Sequence, residues 1–63
     1  MKYAVICYDR REEYIGDFEY QGDVPVNDEI KIKKREFIVK KRRFSVVDGN
    51  TDTVELLCTE LLF

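Results

Sequence analysis

Apolar and polar residues alternate along much of this chain at a period of two, the spacing of a β-strand and not of a helix. Ile30 and Ile32 are interleaved with Glu29, Lys31 and Lys33. Tyr14, Phe18 and Tyr20 fall on one side of an extended segment, with Asp17 and Glu19 on the other. Gly16 lies on the apolar side of that segment, where a missing side chain marks a bulge or a close backbone approach. Tyr3-Ala4-Val5-Ile6-Cys7-Tyr8 is a run of β-formers. Phe37 to Val47 is a further strand, long enough to require a bend or bulge near Lys40–Arg42. Charged or turn-forming stretches separate these runs: Asp9–Glu13, Gln21–Asp28 around Pro25, Lys34–Glu36, and Asp48–Asp52 with its Asp-Gly pair. In the last segment, Val54, Leu56 and Cys58 alternate as in a strand. Residues 59–63 either extend that strand or make one helical turn.

Five short strands with close turns predict an all-β fold in a single domain spanning residues 1–63. Its form is a five-stranded antiparallel meander or a small SH3-like or OB-like barrel, closed through the long bent fourth strand. An open antiparallel sheet carrying one helix is the simpler alternative. The 63 residues hold four Tyr and four Phe, enough apolar surface for a folded core. A chain this short buries only about 60% of its unfolded surface, so disulfides, metals or self-association must supplement the core.

Several chemistries are excluded or disfavoured by composition. The absence of His removes the commonest general base and metal ligand, and with it any Ser-His-Asp or Cys-His arrangement within one chain. Cys7 and Cys58 lie 51 residues apart and form no Cys-x-x-Cys pair. Neither catalytic residues, metal nor cofactor is expected, and the expected function is non-enzymatic. The first apolar run is too short for a signal peptide, and no run approaches the ~20 residues of a membrane span. The expected location is the cytoplasm, with both thiols reduced. A Cys7–Cys58 disulfide stays open should the first and last strands be neighbours.

Two features stand above background. The first is charge segregation. Lys31, Lys33, Lys34, Arg35, Lys40, Lys41, Arg42 and Arg43 are eight of the eleven basic residues, and Glu36 is the single acid among residues 31–43. That segment carries +7 and the remainder −9, for a net −2. A basic hairpin on an acidic molecule steers an acidic protein partner. Alternatively Lys31, Lys33, Lys40, Arg42 and Arg43 grip single-stranded nucleic acid, with Phe37 and Phe44 as stacking rings. The plain alternative is a solvated outer face that blunts edge-to-edge aggregation, with both rings in the core. The second feature is that the terminal strands are apolar on both faces. This predicts a homodimer interface at Ile6, Tyr8, Leu57, Leu61 and Phe63, unless a terminal turn or the Val24–Val26 loop covers them.

The remaining signals are weak. Asp48-Gly49-Asn50-Thr51-Asp52 begins like a calcium loop, but Thr53 and Thr59 stand where such a loop needs Gly and Glu, so a hairpin turn is expected. Glu12 and Glu13 point apart on a strand, and Cys7 in an apolar strand reads as a structural thiol. The residues Gly22-Asp23-Val24-Pro25, Glu29-Ile30-Lys31-Ile32, Phe37-Ile38-Val39 and Arg43-Phe44 make a layout similar to very short β-proteins of bacteria and their phages. That resemblance implies a source and no activity. The function expected is an interaction module that self-associates and binds a partner protein.

Overall fold

The computed structural model describes residues 1–47 and 50–62, with the backbone alone over 45–47 and 50–52. All five expected strands are present: β1 (Lys2–Cys7), β2 (Glu13–Glu19), β3 (Glu29–Ile32), β4 (Arg35–Val47) and β5 (Asn50–Glu60). They form one sheet in the order β2-β1-β5-β4-β3. Hairpins join β1 to β2, β3 to β4 and β4 to β5, all antiparallel, whereas β1 and β5 run parallel. The sheet is therefore mixed and not a simple meander. Turn chemistry specifies only local hairpins, and the central position of β1 follows from its apolar residues on both faces.

The sheet is curled into a half-barrel. A Cβ placed on Gly16 of β2 would lie 3.2 Å from Ile32 Cδ1 of β3. Those two strands are the opposite ends of the sheet, so they approach only because the sheet bends round. Glycine at position 16 leaves room for that approach. Inside the curl, Tyr3, Val5 and Cys7 of β1 meet Phe37 and Val39 of β4 and Val54, Leu56 and Cys58 of β5. Val24 closes the core from the β2–β3 loop, and Phe18, Ile30 and Ile32 pack against its margin. Tyr3 stacks on Phe18 with ring centroids 5.4 Å apart, and its hydroxyl donates to the Gly22 carbonyl at 2.9 Å.

Two bulges reset which residues face inward. In β4 the register shifts between Val39 and Lys41, within the stretch where the sequence predicts a bend. In β1–β2, Val5 pairs with Gly16 and Ile6 with Tyr14, leaving Ile15 as the extra residue. Ile15 enters the core at 5% exposure and Tyr14 turns out to 60%. Uninterrupted alternation places Tyr14 inside, and the bulge reverses that assignment. Tyr20 also lies outside, beyond the end of β2.

The chain makes no helical turn after residue 58 among the described residues. β5 continues to Glu60, and the Leu61 N–H then donates to the Glu36 carbonyl at 2.8 Å, prolonging the strand pairing. Phe63, Asp48 and Gly49 lie outside the described residues, so the calcium-like reading of the Asp48–Asp52 turn is not addressed. The hairpin itself closes with Val47 opposite Asn50.

The β3–β4 turn is tighter than the sequence suggests. Ile32 pairs with Arg35, leaving Lys33 and Lys34 as a two-residue loop with φ of 52° and 64°. Asn-Gly or Asp-Gly normally fills such a loop, because a side chain at positive φ is strained. Replacing Lys33-Lys34 by Asn-Gly is expected to stabilise the fold by about 1 kcal/mol or more, raising Tm by roughly 4–8 °C in thermal unfolding. An unchanged or lower Tm would place the loop in another geometry. The β2 bulge has its own test: Ile15→Ala should cost roughly 2–5 kcal/mol, and Tyr14→Ala under about 1 kcal/mol, in chemical denaturation.

Candidate interaction surface

The basic segment folds as β3, the Lys33–Lys34 turn and the first two thirds of β4, and its arginines and lysines fare differently. Arg35 sits at one open end of the half-barrel. Its Nε and Nη2 donate to the two Glu60 carboxylate oxygens at 2.9 and 2.8 Å, with Glu13 at 3.9 Å and the guanidinium over the Phe37 ring. Such a forked pair is the strong form of a charge-assisted hydrogen bond. Arg42 reaches Asp23 at 3.0 Å at the opposite end. Arg43 lies on the outer face and donates to Glu55 at 2.6 Å and to both Glu12 oxygens at 3.0 and 3.3 Å. Each of the three arginines thus holds acids contributed by other parts of the chain. Lys31, Lys33, Lys34, Lys40 and Lys41 are exposed, and among the described residues none makes an ion pair.

These acids were missed by sequence reasoning, which treated them as an undifferentiated negative remainder. The partners of Arg35 and Arg43 lie 12 to 31 positions away along the chain, and only the strand order brings them together. The register offers the reason for one of them, since Arg43 faces Glu55 directly across β4 and β5.

The outer apolar stripe is closed by the chain itself. Ile6 and Leu57 pair across the β1–β5 ladder and are each only 7% exposed in a single copy. Lys41 is the neighbour of Leu57 on β4, and Glu12, Arg43 and Tyr8 border the same shallow depression. Long charged side chains laid along the strip cover apolar surface while their heads stay wet. Ile6 and Leu57 therefore do not form the wet apolar patch expected of them. Leu61 is half-buried, Tyr8 is exposed, and Phe63 lies outside the described residues.

Unpaired backbone is found elsewhere. β1 covers β5 only as far as Thr53, and β3 covers β4 only as far as Ile38. The loop before β3 satisfies one more residue, with the Asn27 N–H donating to the Val39 carbonyl at 2.8 Å and the Val39 N–H to the Asp28 carbonyl at 2.9 Å. Beyond that point the outer edge of β4 has no strand beside it among the described residues, while β5 on its other side stays paired with β1 as far as Thr53. Phe44 stands on this open-edged part of β4 at 64% exposure, and exposed Met1 joins it around a shallow hollow of about 240 Å³. The two candidate stacking rings thus divide: Phe37 is core and Phe44 is surface.

At the other open end lies a depression of about 400 Å³, lined by Cys7, Asp9, Glu13, Arg35 and Glu60 among others. Asp9 accepts from the Glu60 N–H at 3.2 Å and from the Cys7 thiol at 3.4 Å. Arg35 draws the Glu60 carboxyl below its ordinary range, opposite to the shift that suits a general acid. Burial raises both thiols, Cys58 to about 11. No helix among the described residues is long and apolar enough to cross a membrane. No protein-family model, curated protein or solved structure matches the chain.

The ion pairs fix a pH response. Glu60 and Glu12 are both lowered by hydrogen bonds from arginine. Their contribution to stability is complete above the ordinary Glu value, about 4.3, and is lost as pH falls through the lowered values. Thermal melts are expected to show Tm declining below about pH 4, with Glu60→Gln lower at neutral pH and flatter in acid. A Glu60→Gln profile parallel to the wild type would remove Arg35–Glu60 as the source.

Proposed function

We propose that this protein is a non-enzymatic interaction module, cytoplasmic and of bacterial or phage origin, that self-associates and binds a partner protein by strand addition. The observation that carries this reading is the outer edge of β4 beyond Val39, a row of backbone donors and acceptors with no strand beside it among the described residues. An unpaired edge is a template for another strand. Exposed Phe44 supplies an apolar anchor on that edge strand. Lys40 and Lys41 favour an extended acidic segment as the partner strand. A second copy of the chain uses the same edge in a two-fold pairing. This moves the proposed self-association away from Ile6 and Leu57.

The second reading, single-stranded nucleic acid, rests on the five lysines of this segment that make no ion pair among the described residues. It is weakened by the acids that already hold Arg35, Arg42 and Arg43, and by the net charge of −2. Sedimentation equilibrium separates the possibilities. Wild type is expected to associate with rising concentration, and Phe44→Lys to remain monomeric with an unchanged circular dichroism spectrum. A wild type that stays monomeric at roughly millimolar concentration, far above the micromolar range of ordinary interfaces, overturns self-association. Labelled oligonucleotide that binds at ~50 mM salt and is released as salt rises would favour the nucleic-acid reading instead.

A further inference from the structure

The two cysteines, far apart in sequence, are direct neighbours in the sheet. Cys7 is the register partner of Cys58 across the parallel β1–β5 ladder. Adjacent strands are ~4.8 Å apart, inside the 4.4–6.8 Å span of Cα atoms that a disulfide bridges, to order of magnitude. Both side chains point to the same side, since both belong to the core cluster with Val5 and Leu56. Their access differs. Cys58 is fully enclosed and its thiol donates to the Leu56 carbonyl at 3.3 Å. Cys7 lines the depression at the open end of the half-barrel and its thiol donates to Asp9. One thiol is therefore reachable by a small solute and the other stands beside it, out of reach.

We propose that Cys7 and Cys58 form a reversible redox staple, in which a peroxide oxidises Cys7 from the open end of the half-barrel and Cys58 then closes a disulfide between the first and last strands. In the first step the Cys7 thiolate attacks a peroxide oxygen, the O–O bond breaks, and hydroxide leaves; Cys7 becomes a sulfenic acid. In the second step the Cys58 thiolate attacks the Cys7 sulfur, the S–O bond breaks, and a second hydroxide leaves to become water. Two thiols lose two electrons and two protons, and with hydrogen peroxide as the oxidant two waters result. A thiol reductant reverses the bridge by exchange. Burial, and then the carboxylates of Asp9 and Glu60 beside it, disfavour the Cys7 thiolate, so the first step is slow at neutral pH and faster in mild alkali. The bridge ties residues separated by nearly the whole chain, the case in which a cross-link restricts the unfolded state most.

The test exposes the intact protein to hydrogen peroxide, then alkylates remaining thiols under denaturing conditions. The expected product has lost two hydrogens, carries one linkage joining the Cys7 and Cys58 peptides, and runs as a single chain on a non-reducing gel. Its Tm should rise on the order of 10 °C and return on treatment with dithiothreitol. Cys58→Ala treated in the same way should stop at a Cys7 sulfenic acid that dimedone traps, with no rise in Tm. Two thiols still open to alkylation, Cys7 carried on to sulfinic acid in the wild type, or a bridge between two chains would each overturn the proposal. The wild-type mass map decides the matter even if Cys58→Ala does not fold.

Discussion

The parallel pairing of β1 with β5 is the interaction on which the rest of the structure depends. It places the most apolar strand of the chain in the interior of the sheet, between β2 and β5, where both of its faces are covered. One side of the ladder supplies Tyr3, Val5, Cys7, Val54, Leu56 and Cys58 to the core. The other supplies Ala4, Ile6 and Leu57 to a narrow strip on the convex side. Without this pairing the molecule would consist of a β1–β2 hairpin and a β3–β4–β5 unit, each with a wet apolar face. The two-stranded hairpin alone is marginal in water.

The charges are organised around the same frame. Arg35 with Glu60 joins β4 to β5 at one open end of the half-barrel, Arg42 with Asp23 ties the loop at the other, and Arg43 with Glu12 and Glu55 borders the convex strip. What looks in sequence like one basic block therefore divides by side chain. The forked guanidinium groups are held by carboxylates, and the lysines project into solvent. This division fits the chemistry of the two residue types, because arginine makes planar two-point contacts and lysine is a strongly hydrated point charge.

Much of the fold was legible in the sequence where local pattern governs. The alternation of Ile30 and Ile32 placed β3, the length of the segment from Phe37 onward called for a bulge, and Val54, Leu56 and Cys58 marked the inner face of β5. Legibility ended where position depends on distant partners. Gly16 marks a bulge or close approach locally, but that Ile15 is the extra residue and Tyr14 turns outward is defined only against Val5 and Ile6. The parallel sense of β1 and β5 is likewise invisible to turn chemistry. The candidate surface was legible as a basic stretch, but the acids that hold its arginines were not, and neither was the covering of Ile6 and Leu57 by the chain's own charged side chains. The open edge of β4 follows from strand lengths, four residues in β3 against thirteen in β4, which patterning alone did not fix.

The placement of β1 also orders events in time. Every β1 residue finds its β5 partner 51 positions later, so the β1–β5 ladder cannot form until residues 53–58 have left the ribosome. Contacts of that span slow folding, since the intervening loop must close before they form. The nascent chain therefore carries Tyr3 to Cys7 as an exposed β-prone stretch until β5 emerges, and the half-barrel closes only after that.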